Sequence, residues 1–371
     1  MPAALTARPI SAPCTASAPY LLPALHLLLT QRADAALYCT VVRHVVSFHV
    51  ISWSDLIAEQ CGVAAWDQLA AASLSRHRLR GAVAGGRLER RGRWLVVDPR
   101  WSAEGDSAAQ WKHELFAALC SCPPKQRASA AVFRRSAAAL WGLDGFVRSG
   151  VPLPVELAVT RGEGSSKGSY RLLRVRPFGP GDLVAFEGLP VTSVKRTLID
   201  LGQVADANLM ERALESALRT SRVTVQELQA TLQAAPALRG TRALRSLLAA
   251  RPPGQVPTES DAETLFVQLV RRAGLPPPQR QFVVRTPEGD FRLDHAWPEV
   301  RVAIEIDGAA THASPAALAR DLRRQNMILL ALSLAGWVLL RFTWVDLVCE
   351  PHTSQCIRRL HEAWSLGLSR H

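Results

Sequence analysis

From Ser54 onward, apolar residues recur every three to four positions in some short stretches and every second position in others. Residues 54–60, 66–72 and a segment opening at Ser75 read as three short helices, a spacing that predicts a helix-turn-helix. In the third, Ser75 is placed to cap the first turn. Leu79 and Val83 form an apolar stripe, and Arg76, Arg78 and Arg80 fall largely outside it. Residues 87–97 follow as two short strands turning near Arg91-Gly92, and Arg87, Arg90, Arg91 and Arg93 make that hairpin a basic wing. A recognition helix of this kind can enter the major groove, while arginines and the helix N-terminus hold phosphates. The same pattern suits a protein-interaction winged helix whose arginines are merely solvated.

Residues 100–250 are of mixed character. Residues 127–140 read as a helix and 155–160 and 170–176 as strands. Residues 209–218 read as an amphipathic helix with Leu209, Ala213, Leu214, Ala217 and Leu218 facing inward. Residues 188–200 read as a turn feeding a helix capped by Thr192 or Ser193. The region carries no catalytic constellation, and Lys195 and Asp200 read as surface or helix-end groups. The run Pro252-Pro253-Gly254-Gln255-Val256-Pro257 then breaks every pattern and reads as a linker.

Beyond it, residues 258–273 predict a helix with Leu265, Phe266, Leu269 and Val270 on one face and Glu263 in its middle turn. Residues 280–285 alternate like a strand, and a turn at Glu288-Gly289-Asp290 leads into a hairpin of residues 291–297 and 301–307. A two-residue loop at Glu299-Val300 makes Pro298 face Arg301 and, counting outward, sets Asp294 opposite Glu305. Directly opposed residues have β-carbons about 5 Å apart, and like charges there repel unless something compensates them. Asp307 falls on the same face as Glu305, while Val302, Ile304 and Ile306 form the alternate apolar face of a central strand. Oxygen ligands of this kind suit Mg²⁺ or Mn²⁺, which orients water and offsets charge on a phosphodiester. The bland alternative is a hairpin with acidic residues at a solvated edge.

Composition adds an anionic partner to this picture. The chain has 371 residues, enough for two or three domains. Lys and Arg number 44 against 32 Asp and Glu, a net charge of +12, and the pI is near 10.1. Arginine supplies nearly all of it, since Lys112, Lys125, Lys167 and Lys195 are the only lysines. Such a balance favours nucleic acid, although a high-GC coding bias also enriches Arg and Ala. The seven cysteines lack any repeated spacing, so free thiols in a reducing cytoplasm are expected, with no metal at Cys120, Cys122 and His113. No apolar run is long enough for a bilayer span, and the Ala/Pro/Thr-rich residues 1–50 read as a disordered leader or an overextended start.

Residues 50–250 resemble the AbiEi family of abortive-infection antitoxins. That resemblance implies promoter-DNA binding by the N-terminal domain and neutralisation of a nucleotidyltransferase toxin by the next. The segment from Thr258 to about Glu350 resembles the PD-(D/E)xK nucleases, and more narrowly the domain of unknown function related to very short patch repair endonucleases. The pieces that carry it are Arg292-Leu293-Asp294-His295-Ala296-Trp297-Pro298, then Ile304-Glu305-Ile306-Asp307-Gly308 with His312 four residues later, and Gly336-Trp337-Val338-Leu339-Leu340-Arg341-Phe342-Thr343-Trp344. The resemblance implies that Asp294 and Glu305 bind the metal, that Glu263 is the helix-borne acid and that His312 is a catalytic histidine. This chain departs from the pattern at Asp307, which stands where many such enzymes have lysine, and no lysine follows Lys195. The helix from Ser314 is about one turn longer than is usual for the family before Gly336-Trp337, and its Arg320, Arg323 and Arg324 could grip phosphate or face solvent beside Asp321.

The expected architecture is multidomain α/β. It comprises a winged helix-turn-helix at 51–99, an α+β antitoxin-like region at 100–250, a linker at 251–257 and a restriction-endonuclease-like domain of mixed sheet at 258–371. The expected function is Mg²⁺- or Mn²⁺-dependent hydrolysis of DNA, with Asp307 as a third metal ligand, no small-molecule cofactor and no membrane. The alternative is a non-catalytic regulator or antitoxin with a cognate toxin, and RNA is not distinguished from DNA as substrate.

Overall fold

The computed structural model describes residues 52–146, 154–160, 162, 164–167, 170–234, 238–287, 289–307 and 315–369. The expected leader at 1–50 and His312 lie outside the described residues. Ser52 opens helix α1 (Trp53–Glu59) by accepting the Asp55 amide at 3.2 Å. Strand β1 (Val63–Ala65), helix α2 (Trp66–Ala71) and helix α3 (Arg76–Ala84) follow. Ser75 caps α3, accepting the Arg78 amide at 3.3 Å, so the serine read from the pattern ends the preceding turn as expected. Strands β2 (Glu89–Arg91) and β3 (Leu95–Val97) complete an antiparallel sheet of order β1-β3-β2. Ile57, Leu69, Leu74, Leu79, Leu88 and Val96 seal its helical side.

The other side of that small sheet, through Val63, Leu95 and Val97, joins the core of the next region across helix α4 (Ser107–Ser121). After the single turn α5 (Pro124–Arg127) comes a correction to the pattern-based reading. Residues 127–140 are not one helix, because strand β4 (Ala130–Val132) precedes helix α6 (Arg134–Leu140). β4 is buried on both faces, antiparallel to β5 (Val155–Val159) and parallel to β9 (Leu189–Thr192), so it shows no alternation to read. With β6 (Ser165–Lys167), β7 (Tyr170–Arg174) and β8 (Leu183–Phe186) these make a six-stranded sheet of order β6-β7-β5-β4-β9-β8.

Helices α7 (Val194–Leu201), α8 (Ala207–Arg219), α9 (Val225–Ala234) and α10 (Thr241–Ala250) pack with this sheet. Asp200 stands in the last turn of α7, as the pattern suggests for a helix-end group, but it is not on the surface. It is buried, accepts from the Arg196 guanidinium at 2.7 Å, and burial pushes its pKa up to about 6 against the pull of Arg196.

Helix α11 (Asp261–Arg272) begins three residues later than its apolar face suggests, because Ser260 is the N-cap. The Glu263 amide donates to the Ser260 hydroxyl at 3.1 Å, and the Glu263 carboxylate reaches back to the Glu259 amide at 3.0 Å. Ser260-Asp261-Ala262-Glu263 has the spacing of a capping box, with the return bond made to the amide before the cap, and Glu263 sits in the first turn. Strands β10 (Gln279–Thr286), β11 (Gly289–Trp297), β12 (Val302–Asp307) and β13 (Val338–Thr343) form a mixed sheet in that order, antiparallel up to β12 and parallel from β12 to β13. The crossover to β13 is helix α12 (Pro315–Leu334), which packs on one face through Ile328, Ala331 and Leu332 against Leu293 and Ala303. The other face packs Trp297, Val302, Ile304 and Phe342 against α11, α13 (Trp344–Val348) and α14 (His352–Leu368).

α11 also meets α8 through charge rather than oil. Glu215 accepts from Arg251 at 2.7 Å, from Arg280 at 3.2 Å and from the Thr258 amide at 3.1 Å, all three side chains of the ion pairs being under a tenth exposed. Arg212 pairs with Asp261 at 2.6 Å and Arg271 with Glu211 at 2.9 Å. The proline-rich segment at 252–257 has no helix or strand and is tied into this network by the Gln255 and Val256 carbonyls. Among the described residues, no helix is long and apolar enough to cross a membrane.

Candidate functional site

The turn between β11 and β12 is a four-residue one. Pro298–Val300 form a 3-10 turn and Arg301 takes a left-handed backbone, φ 50°, rather than the two-residue loop that the pattern suggests. The register is nonetheless the one obtained by counting outward, with Trp297 on Val302, Ala296 on Ala303 and His295 on Ile304. Gly367 of α14 lies against this turn so closely that a Cβ there would stand 2.3 Å from the Val300 carbonyl oxygen. The hairpin is therefore clamped at its closed end.

At its open end the ladder stops. The next pair in register is Asp294 with Glu305, just past the end of the β11–β12 ladder, and the β10–β11 ladder skips Asp294 at Gln281, whose backbone is left-handed with φ 52°, before resuming at Phe282–Leu293. The Asp294 carboxylate takes over the role of the missing backbone acceptor, receiving the Ile306 amide at 2.7 Å. A carboxylate is thereby fixed where two strands part. Asp294 is half-buried; burial raises its pKa, the Ile306 hydrogen bond opposes this, and the negative charges of Glu259 and Asp307 add to the rise.

On β12, Val302 and Ile304 face α11, so alternation turns Ala303, Glu305 and Asp307 to the α12 face. Parallel pairing sets Arg341 of β13 beside Glu305. Its guanidinium lies 3.4 Å from Glu305 Oε2, donates from Nε to Asp307 Oδ2 at 3.2 Å, and also donates from Nη2 to Asp307 Oδ1. Glu305 is buried, which raises its pKa. Arg341 and Arg324 lower it, whereas Asp294 and Asp307 push it further up. Glu305 thus feels the charges of Asp294 and Asp307, and Arg341 is the direct cationic partner of Glu305 and Asp307.

Glu263 approaches from α11. Besides the Glu259 amide it accepts from the Ser260 hydroxyl at 3.1 Å and from the Gln281 side-chain amide at 3.3 Å, and burial with the nearby Asp294 charge raises its pKa. These bonds to the cap and to Gln281 hold the α11 N-terminus against the broken strand. Arg341 and Gln281 were not identified as site residues by pattern. The parallel neighbour of β12 is separated from it by all of α12, so its register is not local information.

Behind the site, His295 is fully buried against Phe266, with ring centroids 4.9 Å apart, and neither ring nitrogen has a hydrogen-bond partner among the described residues. Burial, helped by the Arg280 charge, pushes its pKa down to about 3 from 6.5. The folded state keeps this ring neutral while the unfolded chain protonates it below about 6.5. Its contribution to stability is thus complete above that pH and is lost as pH falls toward 3. His295→Leu is expected to flatten this acid limb in urea titrations between pH 3 and 6.5, and to leave neutral-pH stability equal or up to about 2 kcal/mol higher. An unchanged limb would show that another group governs it.

The arginines of the N-terminal region stand on the surface. Arg76, Arg78 and Arg80 are exposed on α3, and Arg87, Arg90, Arg91 and Arg93 on or beside the β2–β3 hairpin. Arg90 lies over the Trp66 ring at 4.9 Å and donates to the Gly92 and Arg93 carbonyls, Arg93 lies over Trp94 at 5.0 Å, and Arg91 pairs with Glu89. Cys120 and Cys122 are buried free thiols, pushed up to about 12 and about 11 by burial, while His113 bonds the Cys61 carbonyl oxygen and stacks on Trp101. These groups serve the core. Among the described residues, no three His, Cys, Asp or Glu side chains are gathered closely enough to hold an ion as they stand.

Comparison with known proteins adds distant relatives. Over 139 residues the chain is 30% identical to two uncharacterized proteins of Mycobacterium tuberculosis, MT2308 of strain CDC 1551 / Oshkosh and Rv2248 of strain H37Rv. The match covers 37% of this chain and 49% of each relative, so the chain spans about half the length of the curated relatives it matches. No family model matches.

Proposed function

We propose that this chain is a DNA-binding protein that hydrolyses phosphodiester bonds with Mg²⁺ or Mn²⁺ at the open end of β12. The observation that carries this reading is the placement of Asp294, Glu305 and Asp307 where β11 leaves β12, in a sheet whose remaining inward positions are largely apolar. The donor set is all oxygen, and burial with mutual repulsion raises the pKa values of Asp294 and Glu305, a situation that a hard divalent cation relieves. Asp294 and Glu305 would hold the ion and Asp307 would assist. Bound there, the ion would supply a Lewis acid for the phosphate and lower the pKa of a water.

The chain's own groups supply the rest. The Ile306 amide fixes the Asp294 carboxylate so that it cannot rotate away. Glu263 and Gln281 keep the α11 N-terminus packed on the strand break. His312 is the group that would take the proton of the attacking water. Arg323 and Arg324, exposed on α12, would neutralise phosphates flanking the scissile one. The exposed face of α3, with Ser75 at its N-terminus, and the basic β2–β3 hairpin form a winged helix-turn-helix that would bind the duplex.

The second reading is a non-catalytic regulator or antitoxin that binds nucleic acid or a toxin through a nuclease-like fold. Arg341 favours it, since Glu305 and Asp307 already have a cationic partner. Incubation of the full chain with supercoiled plasmid, single-stranded DNA and RNA, in Mg²⁺, Mn²⁺ or chelator, separates the two. Metal-dependent nicking supports the enzyme, and binding without cleavage in any metal supports the regulator.

A further inference from the structure

We infer that Arg341 is a resident counter-cation of the acidic site, which a divalent ion must displace and which then turns to the phosphate. The inference rests on the metal-dependent reading above. Both carboxylate oxygens of Asp307 and Oε2 of Glu305 are engaged by this one guanidinium. An ion held by Asp294 and Glu305 with Asp307 assisting competes for those same oxygens. A guanidinium stays charged at any accessible pH, so the competition cannot be relieved by its deprotonation.

The charge balance explains why such a latch is tolerable. With Asp294, Glu305 and Asp307 ionised, Arg341 leaves the site net negative. A divalent ion leaves the three carboxylates with one residual negative charge instead of three, which weakens their hold on the guanidinium. Its planar fork matches a phosphate as well as a carboxylate, so the exchange of Asp307 for a phosphodiester oxygen pair conserves bidentate geometry. The latch is also placed to open. The Arg341 side chain is 27% exposed and Asp307 37%, so their bidentate pair is partly screened by solvent, whereas Glu305 is only 10% exposed and stays in place. The carboxylate at 307 is thereby answered by a cation from the neighbouring strand.

The test is calorimetric titration of Mn²⁺ into the full chain without nucleic acid, comparing wild type, Arg341→Met, Asp294→Asn and the double variant. Arg341→Met keeps an apolar stem and removes the charge. It is expected to bind Mn²⁺ about 10-fold more tightly than wild type, and the double variant is expected to lose that binding. Arg341→Lys, which keeps a charge but loses the fork, is expected to fall between wild type and Arg341→Met. It also carries the test if the methionine variant does not fold, since an affinity equal to or below wild type would overturn the latch. Equal or weaker Mn²⁺ binding by Arg341→Met, with Asp294→Asn still abolishing it, overturns the latch and leaves the metal site standing. No Mn²⁺ binding by wild type or by Arg341→Met overturns the metal-dependent reading as well.

Discussion

Plasmid nicking in Mg²⁺ is expected to fall by at least about 100-fold when Asp294 is replaced by asparagine. The substitution is chosen for what it preserves. Asp294 accepts the Ile306 amide at the point where the β11–β12 ladder ends, and the asparagine carbonyl can accept the same hydrogen bond. Alanine would instead leave that N–H without its partner, adding a cost of about 1–3 kcal/mol that has nothing to do with catalysis. Asparagine removes the negative charge, which is what a cation would need, and it removes repulsion on Glu305. The folded protein should therefore be at least as stable as wild type at neutral pH, judged by urea titration, while nicking disappears. Nicking at the wild-type rate in a well-folded Asp294→Asn protein would remove Asp294 from the chemistry.

The largest loss of stability is expected from Glu215→Ala, at about 3–5 kcal/mol in denaturant titration. One carboxylate serves two guanidiniums and a backbone amide, and Arg251 and Arg280 are each under a tenth exposed. Removing the acid leaves two buried positive charges whose remaining acceptors are neutral oxygens, the Gln255 and Val256 carbonyls and the Gln255 side-chain amide. The pair Glu215–Arg280 also ties α8 to β10, the strand whose break at Gln281 faces Asp294, so the same variant is expected to blunt any activity of the distant site. Glu215→Gln keeps an acceptor oxygen and should cost visibly less. A loss below about 1 kcal/mol for alanine would mean that water replaces the carboxylate freely.

The alternation of Val302, Ile304 and Ile306 is enough to orient β12, because a strand buried on one face by Phe266 and Trp297 cannot slip by one residue without exposing all three. Counting outward from the turn then reaches Asp294 and Glu305 correctly, even though Pro298–Val300 coil as a 3-10 turn. The four residues 298–301 occupy the same span as a two-residue loop with its closing pair. Other features carry no local pattern. β1 and β4 are three-residue strands buried throughout, so they lack the polar positions that would mark a period. The cap at Ser260 was legible as Ser-x-x-Glu but is masked by the apolar face of α11, which begins close to it. Arg341 is the instructive case. Its own strand reads as apolar, and only the parallel register across α12 reveals that the charge at this position meets Glu305 and Asp307.

The central claim is that Asp294 and Glu305 close around a single ion at the end of β12. Crystals grown with Mn²⁺ and measured at the manganese absorption edge test it without reference to activity. The expected result is one anomalous peak within about 2.0–2.3 Å of oxygens from both side chains, with Arg341 withdrawn from Asp307. Full Mn²⁺ in the medium with no peak there, and Arg341 still seated on Glu305 and Asp307, would contradict it.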